Sequence, residues 1–345
     1  MVKSRRFIIT IAIFLLLIGG YFLIGRERLY ETSFLLLFDT RITVMHYANS
    51  AEEFDVFAEL VYNKFERYHR LFDIYRNYEG INNIKTINDN AGVAAVKVDE
   101  AIIKLLLFGK EQYDLTGGAV NIALGPVLRI WHKYRTEGHR YPELARLPSV
   151  YALEEAFKHS SMNDVIIDME NSTVFLPHEQ MSLDVGAVAK GFAVQRVAES
   201  MQDKGYDSFL INAGGDVKAV GMKRDNTSWN VGIANPAGRN ELAASLRLSD
   251  MSAATSGDYL RYYTVGGQRF SHIIDPATLF PATNFRSVTV ITENAALADS
   301  LSIALFIMSY EEGTRLIESM DATYAIWIDG QLNIRHSKGA ENILR

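Results

Sequence analysis

The sequence predicts an α+β fold: a single large domain with an antiparallel sheet and flanking helices, preceded by one N-terminal transmembrane helix. Three observations indicate this class. A long apolar run lies near the N-terminus, and segments with apolar residues at helical spacing lie towards both ends of the remaining chain. Short β-rich runs separated by turn residues fill the middle. A strand-rich middle between helical ends favours α+β architecture over a doubly wound parallel sheet.

The composition is that of a globular protein with neither thiol chemistry nor a basic surface. The chain has 345 residues, of which 48% are hydrophobic and 22% are charged, and its formal net charge is −6. Because the chain lacks the positive field that duplex nucleic acid requires, we expect no nucleic-acid partner. Cysteine is absent, which excludes disulfides, thiolate metal sites and a cysteine nucleophile. A bound metal must therefore use oxygen or imidazole ligands.

The apolar run occupies residues 7–25, FIITIAIFLLLIGGYFLIG, and is long enough to cross the hydrocarbon core as an uncharged helix. Lys3, Arg5 and Arg6 precede it, so the positive-inside rule keeps residues 1–6 in the cytoplasm. The sequence therefore predicts a membrane anchor and a single-pass cell-membrane protein whose domain lies on the outer, extracytoplasmic face. A cleavable signal peptide is the alternative, although no small-x-small exit follows the run.

Residues 31–345 contain no low-complexity linker and no internal repeat, so we predict one compact domain. It begins with a strand pair at 34–47, and amphipathic helices follow at 51–75 and 99–115. Short strands are expected in the β-rich runs at 208–212, 229–234, 242–248, 262–265, 269–273 and 288–292.

Turn and cap residues complete this description. Gly266–Gly267 and Asp329–Gly330 lie where two-residue hairpins would turn. Later helices are expected at 188–202, with Gly205 as a C-cap, and at 295–308.

The stretch 182–221 combines a glycine-containing loop with the start of a helix. Gly186, Ala187 and Gly191 would let a ligand approach the main chain closely. Lys190 adds positive charge in the first helical turn, where the helix dipole already favours anions. This chemistry suits a diphosphate, while an ordinary strand-to-helix connection is an equal alternative.

A second stretch, 255–276, ends with His272 at the terminus of a predicted strand, where its side chain can project into a cleft. Ser256 and Gly257 begin the same predicted hairpin. A hydroxyl, a flexible main chain and an imidazole would then converge at one end of the sheet, although for any single histidine a packing role is commoner than catalysis.

The third stretch is the helix at 295–308, whose single acid is Asp299 among small and apolar residues. A carboxylate in so apolar a helix is costly unless it is paired or bound to metal. Asp299 and Ser302 lie three residues apart, so the two oxygens could reach one hard cation such as Mg²⁺. The alternative is a satisfied polar residue near a helix start.

These stretches belong to an ordered series of motifs: IKTINDNAG at 84–92, TGGAVNIALGPVLRIW at 116–131, LDVGAVAKGFA at 183–193, INAGGDVKAVG at 211–221, ATSGDYLRYY at 254–263, SHIIDP at 271–276 and ALADSLSIALF at 296–306. In this order they resemble the ApbE family of flavin transferases. The resemblance extends over nearly all of residues 34–310.

The resemblance implies phosphoryl chemistry on a flavin dinucleotide. FAD would be the substrate, Mg²⁺ would lie on its pyrophosphate, and the FMN half would pass to a Thr or Ser hydroxyl of a partner protein while AMP leaves. The implied acceptor proteins are subunits of membrane redox pumps or extracellular electron-transfer proteins. By the same resemblance His272 is the catalytic base that takes the proton of the acceptor hydroxyl.

The resemblance also assigns the residues expected around the FAD. Ala119, Val120 and Asn121 match the strip that lines it, and Phe38 and Tyr75 fall where the family places flavin-contacting side chains. The remaining expected contacts are Asp184, Lys190, Gly214, Gly215, Asp216, Ser256, Gly257 and Ile274.

For the metal, the family uses a main-chain carbonyl that maps to Ala187, a helix aspartate that maps to Asp299, and a threonine one turn later. Here that third position is Ile303, which offers no oxygen, so Ser302 or water must substitute. Two alternatives stay open. The same metal geometry permits an FAD pyrophosphatase that uses water as acceptor, and the departure at Ile303 motivates a non-catalytic flavin-binding protein.

Overall fold

A computed structural model describes residues 27–238, 241–259 and 261–345. The predicted membrane anchor at 7–25 and the basic segment 1–6 lie outside the described residues. Among the helices in the described ranges, none is both long and apolar enough to cross a membrane.

The described residues form eight α-helices joined by short loops and three brief 3₁₀ turns. The helices are α1 (Ala51–Phe72), α2 (Ile84–Asp89), α3 (Glu100–Leu115), α4 (Gly125–Arg140), α5 (Val150–Phe157), α6 (Ala189–Gln202), α7 (Ala295–Ile307) and α8 (Tyr310–Glu318).

Fifteen strands lie in the same part of the chain. They are β1 (Arg28–Leu37), β2 (Thr40–Ala48), β3 (Val96–Lys97), β4 (Ile166–Asp168), β5 (Thr173–Phe175), β6 (Phe209–Ala213), β7 (Asp216–Val220), β8 (Trp229–Ala234), β9 (Leu242–Leu248), β10 (Ser252–Gly257), β11 (Tyr262–Val265), β12 (Gln268–Ser271), β13 (Ser287–Thr292), β14 (Tyr324–Ile328) and β15 (Ile334–His336).

Eight of these strands form the main sheet, in the order β1-β2-β6-β7-β10-β13-β14-β15. Every neighbouring pair in it is antiparallel. Three small sheets, β3-β5-β4, β8-β9 and β11-β12, lie outside it. This architecture confirms the predicted α+β class with an antiparallel sheet and flanking helices.

The main sheet is covered on both faces, and strand β6 shows why Phe209, Leu210 and Ile211 are all apolar. Phe209 and Ile211 pack on one face with helices α1 and α6, and the ring centroids of Phe209 and Phe57 of α1 are 5.6 Å apart. Leu210 points to the opposite face, where Trp229 of β8 covers it. Because successive strand residues alternate between faces, burial of both faces calls for apolar residues at consecutive positions, as at 209–211.

The helix starts are fixed by side chains that accept the free N–H groups of the first turn. Ser50 Oγ accepts from Glu53 N at the start of α1, and Asn294 Oδ1 accepts from two main-chain N–H groups at the start of α7. Helix α6 differs, since its N-cap residue Val188 provides no side-chain acceptor. Its first turn is instead satisfied by a side chain from α7, and this arrangement builds the site described below.

Two local predictions are wrong. The turn after β14 spans residues 329–333 rather than two residues, because Asp329 Oδ1 accepts from the main chain of Gln331 and Asn333 and so closes a wider loop. Ser256 and Gly257 end strand β10 of the main sheet and are not part of the β11–β12 hairpin. They reach the neighbourhood of His272 through the tertiary fold.

Candidate active site

A cavity of about 490 Å³ lies where the main sheet meets helices α4, α6 and α7, and its volume is typical of a small-molecule site. Its wall comes from segments that are distant in sequence: the β1–β2 turn, the loops after α1 and before α4, the loop that opens α6, the β6–β7 turn, the end of β10, the segment after β12, and α7. The predicted site residues that line it are Phe38, Tyr75, Ala119, Val120, Asn121, Asp184, Ala187, Lys190, Gly214, Ser256, Gly257, His272, Ile274 and Asp299.

Lys190 carries the positive charge at the start of α6. Its Nζ forms an ion pair with Asp216 at the start of β7 and lies 3.8 Å from Oδ1 of Asp299 on α7. Three elements that are far apart in sequence therefore meet at one ammonium group. Asp216 does not line the cavity itself but lies behind Lys190 and orients it.

Asp299 also completes the N-terminus of α6. Its Oδ2 accepts a 2.8 Å hydrogen bond from the main-chain N–H of Gly191. A Cβ atom at Gly191 would lie 2.4 Å from Cβ of Asp299 and 2.6 Å from the carbonyl oxygen of Ala295, so only glycine permits this approach of α6 and α7. The carboxylate thus uses one oxygen for structure and directs the other towards Lys190 and the cavity.

Two carboxylates share one ammonium group in this cluster. Burial and the nearby charge of Asp299 raise the pKa of Asp216 well above its usual value. Burial alone would lower the pKa of Lys190, but the two carboxylates outweigh it and raise that pKa, so the lysine is cationic at neutral pH. Asp216 therefore keeps its proton to a higher pH than an exposed aspartate does.

His272 lies at the other side of the cavity, directly after β12. Its Nδ1 lies 3.1 Å from the carbonyl oxygen of Arg261, which can only accept, so Nδ1 carries the proton and Nε2 has a free lone pair. Burial first, and then the charges of Arg261 and Arg135, lower the pKa of His272 to about 3. The imidazole is therefore neutral at pH 7, as a general base must be.

Ser302 does not line the cavity. Its Oγ donates to the carbonyl oxygen of Asp299 at 2.8 Å and lies 2.8 Å from Oγ of Ser256, and the side chain is buried. The structure therefore engages this hydroxyl in two contacts and does not bring Ser302 to the cavity beside Asp299, where the cation was predicted. Ile303 lines the cavity instead, one turn after Asp299. Gly215, in the β6–β7 turn, also lies outside the lining.

Several lining residues were not predicted. They are chiefly Thr40, His69, Leu128, His132, Arg135, Thr255 and Arg261. For Leu128, His132 and Arg135 a signal exists, because positions i, i+4 and i+7 share one face of a helix. For the others the sequence holds no local signal, since they reach the cavity through chain segments that only the tertiary fold brings together. In the described part of the chain, no group of three or more His, Asp or Glu side chains is placed to hold a metal on its own.

Comparison with known proteins agrees with this architecture. The ApbE family model matches residues 38–327. A protein of Treponema pallidum is 33% identical over 279 residues, which are 76% of this chain and 75% of that protein, and one of Klebsiella pneumoniae is 30% identical over 268 residues, covering 75% and 81%. Both are named FAD:protein FMN transferase, in agreement with the predicted transferase class.

Solved structures give the same result. The crystal structure of an ApbE protein from Thermotoga maritima superposes with a TM-score of 0.79 at 28% identity, over 92% of this chain and 100% of that one. The flavinyl transferase ApbE of Pseudomonas stutzeri superposes with a TM-score of 0.76 at 22% identity, over 93% and 98%, and so supports the fold. The resemblance inferred from the sequence motifs is confirmed, and the chain belongs to the ApbE family.

Proposed function

We propose that this chain is a Mg²⁺-dependent FAD:protein FMN transferase, which moves FMN from FAD to a Thr or Ser hydroxyl of an acceptor protein and releases AMP. One observation carries the proposal: Lys190, Asp299 and His272 come from different parts of the fold and line the same cavity. A cation for the diphosphate, a carboxylate for a metal and a neutral imidazole for a proton are the groups that such a transfer needs.

The donor set of this cavity fits Mg²⁺. Asp299 directs one carboxylate oxygen towards the cavity, and a carboxylate with a main-chain carbonyl matches the oxygen preference of a hard ion. Asp299 and the carbonyl of Ala187 would hold the ion. When bound, the ion would act as a Lewis acid and neutralise negative charge on the diphosphate.

The side chains divide the remaining chemistry between them. Lys190 binds and orients the anionic diphosphate, while His272 Nε2 accepts the proton of the acceptor hydroxyl. The hydroxyl oxygen bonds to the phosphorus of the FMN half, the bridging P–O bond to the AMP half breaks, and the electron pair leaves with AMP. The Nδ1 contact with the Arg261 carbonyl fixes the imidazole tautomer during this transfer.

The exposed aromatic face of Tyr75 supports the placement of the flavin. Tyr75 lines the cavity with 61% of its surface exposed, and an aromatic ring of this kind can stack on an isoalloxazine. Phe38 lies on the same wall, in the β1–β2 turn.

The acceptor and the location of the protein are parts of the same proposal. We expect subunits of membrane redox pumps or extracellular electron-transfer proteins as acceptors, with residues 7–25 anchoring the domain at the outer face of the cell membrane. The length and charge-free character of that run support the anchor.

Intact mass spectrometry tests the proposal. The purified full-length chain is incubated with FAD, Mg²⁺ and a purified flavin-acceptor domain, and the mass of that domain is measured. We expect an FMN-sized gain that disappears in His272→Gln and persists in His178→Gln, a matched change at an exposed histidine outside the cavity.

Three other outcomes contradict the transferase. No gain on the acceptor, while an established family enzyme modifies it in parallel, excludes the activity. AMP release that does not depend on an acceptor indicates an FAD pyrophosphatase. Tight FAD binding with neither product indicates a non-catalytic flavin-binding protein, the alternative that Ile303 keeps open because the cavity wall there offers no oxygen.

A further inference from the structure

Helix α4 presents one face to the cavity, and His132 on that face contacts Tyr75. The hydroxyl oxygen of Tyr75 lies 3.2 Å from Nδ1 of His132. The two ring centroids are 6.2 Å apart and the ring planes are inclined by 36°. The two side chains therefore meet through the hydroxyl group and do not stack, so the face of the Tyr75 ring stays available.

The main chain of Tyr75 is fixed by a separate contact. Asp73 Oδ1 accepts hydrogen bonds from the main-chain N–H groups of Tyr75 at 2.7 Å and of Arg76 at 3.1 Å. This turn fixes where the Tyr75 side chain starts but leaves rotation about its side-chain bonds open. Since 61% of the surface of Tyr75 is exposed, packing alone does not hold its side chain in place. The contact between the Tyr75 hydroxyl and His132 can hold the ring in place.

The protonation states of the pair suit a hydrogen bond. The surrounding protein atoms, and then the charge of Asp184, raise the pKa of Tyr75 to about 12, so the phenol keeps its proton. Burial lowers the pKa of His132, which keeps its imidazole neutral at pH 7. A protonated phenol can then donate to a free lone pair on Nδ1.

We propose that His132 is a positioning residue, which holds the Tyr75 ring as a fixed wall of the cavity against which the planar ring of the ligand stacks. The inference rests on the proposed function, because FAD supplies the planar isoalloxazine. Ordering a mobile side chain on ligand binding costs conformational entropy and lowers the affinity. A ring that is already ordered before binding therefore gives tighter binding. The expected gain is about 2- to 10-fold in the dissociation constant.

A double-mutant cycle on the full-length chain tests this. Tyr75→Phe removes only the hydroxyl and keeps the ring, while His132→Phe removes the acceptor. Riboflavin and FAD are titrated against each variant, and the quenching of flavin fluorescence by the stacked ring is measured. We expect each single variant to bind both ligands about 5-fold more weakly with less quenching, and the double variant to be no weaker than either.

Two further variants separate positioning from a general structural effect. His132→Gln keeps a hydrogen-bond acceptor and should restore most of the affinity and quenching. His139→Phe changes an exposed histidine on the same helix outside the cavity and should behave as wild type. The KM for FAD of His132→Phe should rise by a larger factor than its kcat falls, since the tether acts on binding.

The outcomes distinguish this inference from the proposed function. Additive losses in the cycle, or wild-type quenching in His132→Phe, overturn the positioning role even when the wild-type chain transfers FMN. A wild-type chain that binds neither FAD nor riboflavin overturns the proposed function and this inference together.

Discussion

Replacing Asp299 by asparagine removes a charge from the cavity while keeping the contacts of the side chain. An amide oxygen can still accept the 2.8 Å hydrogen bond from Gly191 N–H. The lost attraction to Lys190, across 3.8 Å, is about 4 kcal/mol at an effective dielectric constant of about 20. The repulsion between Asp299 and Asp216 and the desolvation of one carboxylate disappear at the same time and offset this loss. We therefore expect the free energy of unfolding to stay within about 1 kcal/mol of wild type.

The functional effect should be much larger than this. An amide is a weaker ligand for a hard cation and leaves the charge of the diphosphate less neutralised, so transfer should fall by about 100-fold or more. The dissociation constant for FAD measured without metal should change by less than about threefold, because the flavin contacts are intact. Transfer is measured by intact mass of the acceptor, FAD binding by flavin fluorescence, and stability by urea denaturation.

Two variants complete this experiment. Asp299→Ala leaves the buried N–H of Gly191 without an acceptor and should cost about 1–3 kcal/mol of stability beyond the asparagine variant. Asp203→Asn, at the exposed far end of α6, should leave stability and transfer unchanged. If Asp299→Asn keeps a third of the wild-type activity, its charge is not needed for transfer. If the alanine and asparagine variants are equally stable, the contact with Gly191 does not support the helix pair.

Three further predictions follow from the same site. Ile303→Thr adds an oxygen to the cavity wall and should lower the Mg²⁺ concentration for half-maximal transfer about tenfold, measured by metal titration with Ile303→Val as control. Gly191→Ala should cost about 1–2 kcal/mol in urea denaturation, because the overpacking of α6 against α7 exceeds the helix preference of alanine, while Gly330→Ala, with open space around it, should cost less than about 0.5 kcal/mol. Because the pKa of His272 is lowered to about 3, kcat/KM for FAD should fall less than twofold between pH 7.5 and pH 5.5. An enzyme that depends on a histidine of ordinary pKa would lose about tenfold over the same range through protonation. A tenfold loss would therefore show that the His272 imidazole is not desolvated.

Much of the secondary structure could be predicted from the sequence, because it depends on local patterns. The helix over 51–75 is observed as α1, and the β-rich run at 229–234 coincides with β8. Gly205, predicted as the C-cap of α6, lies two residues after the observed C-cap Asp203, and its positive φ of 89° closes the turn that follows the helix. Helices α4 and α5 were not predicted, since hydrophobic periodicity gives no clear start or end for helices with such polar faces and flanking loops.

From the sequence, the site could be predicted only as separate motifs, without the contacts between them. His272, Lys190 and Asp299 were each identified from their own stretch, and the structure brings them to one cavity. Their partners were not identified, because ion pairs between α6, β7 and α7 depend on how the elements pack. For the same reason the sequence did not show that Ser302, the proposed replacement for the missing threonine, lies outside the cavity lining. Spacing along a helix places two residues near one face, but only the packed structure shows that the Ser302 hydroxyl is already used by Ser256 and a main-chain carbonyl.

By itself the amino-acid sequence determined the α+β class, the order of most elements, the absence of thiol chemistry and the family, because these follow from composition, periodicity and ordered motifs. The tertiary structure decided which charges meet, which hydroxyl is free and which imidazole is neutral. Those properties depend on distances of a few ångströms and on exclusion of water, and neither is encoded in the spacing of residues along the chain.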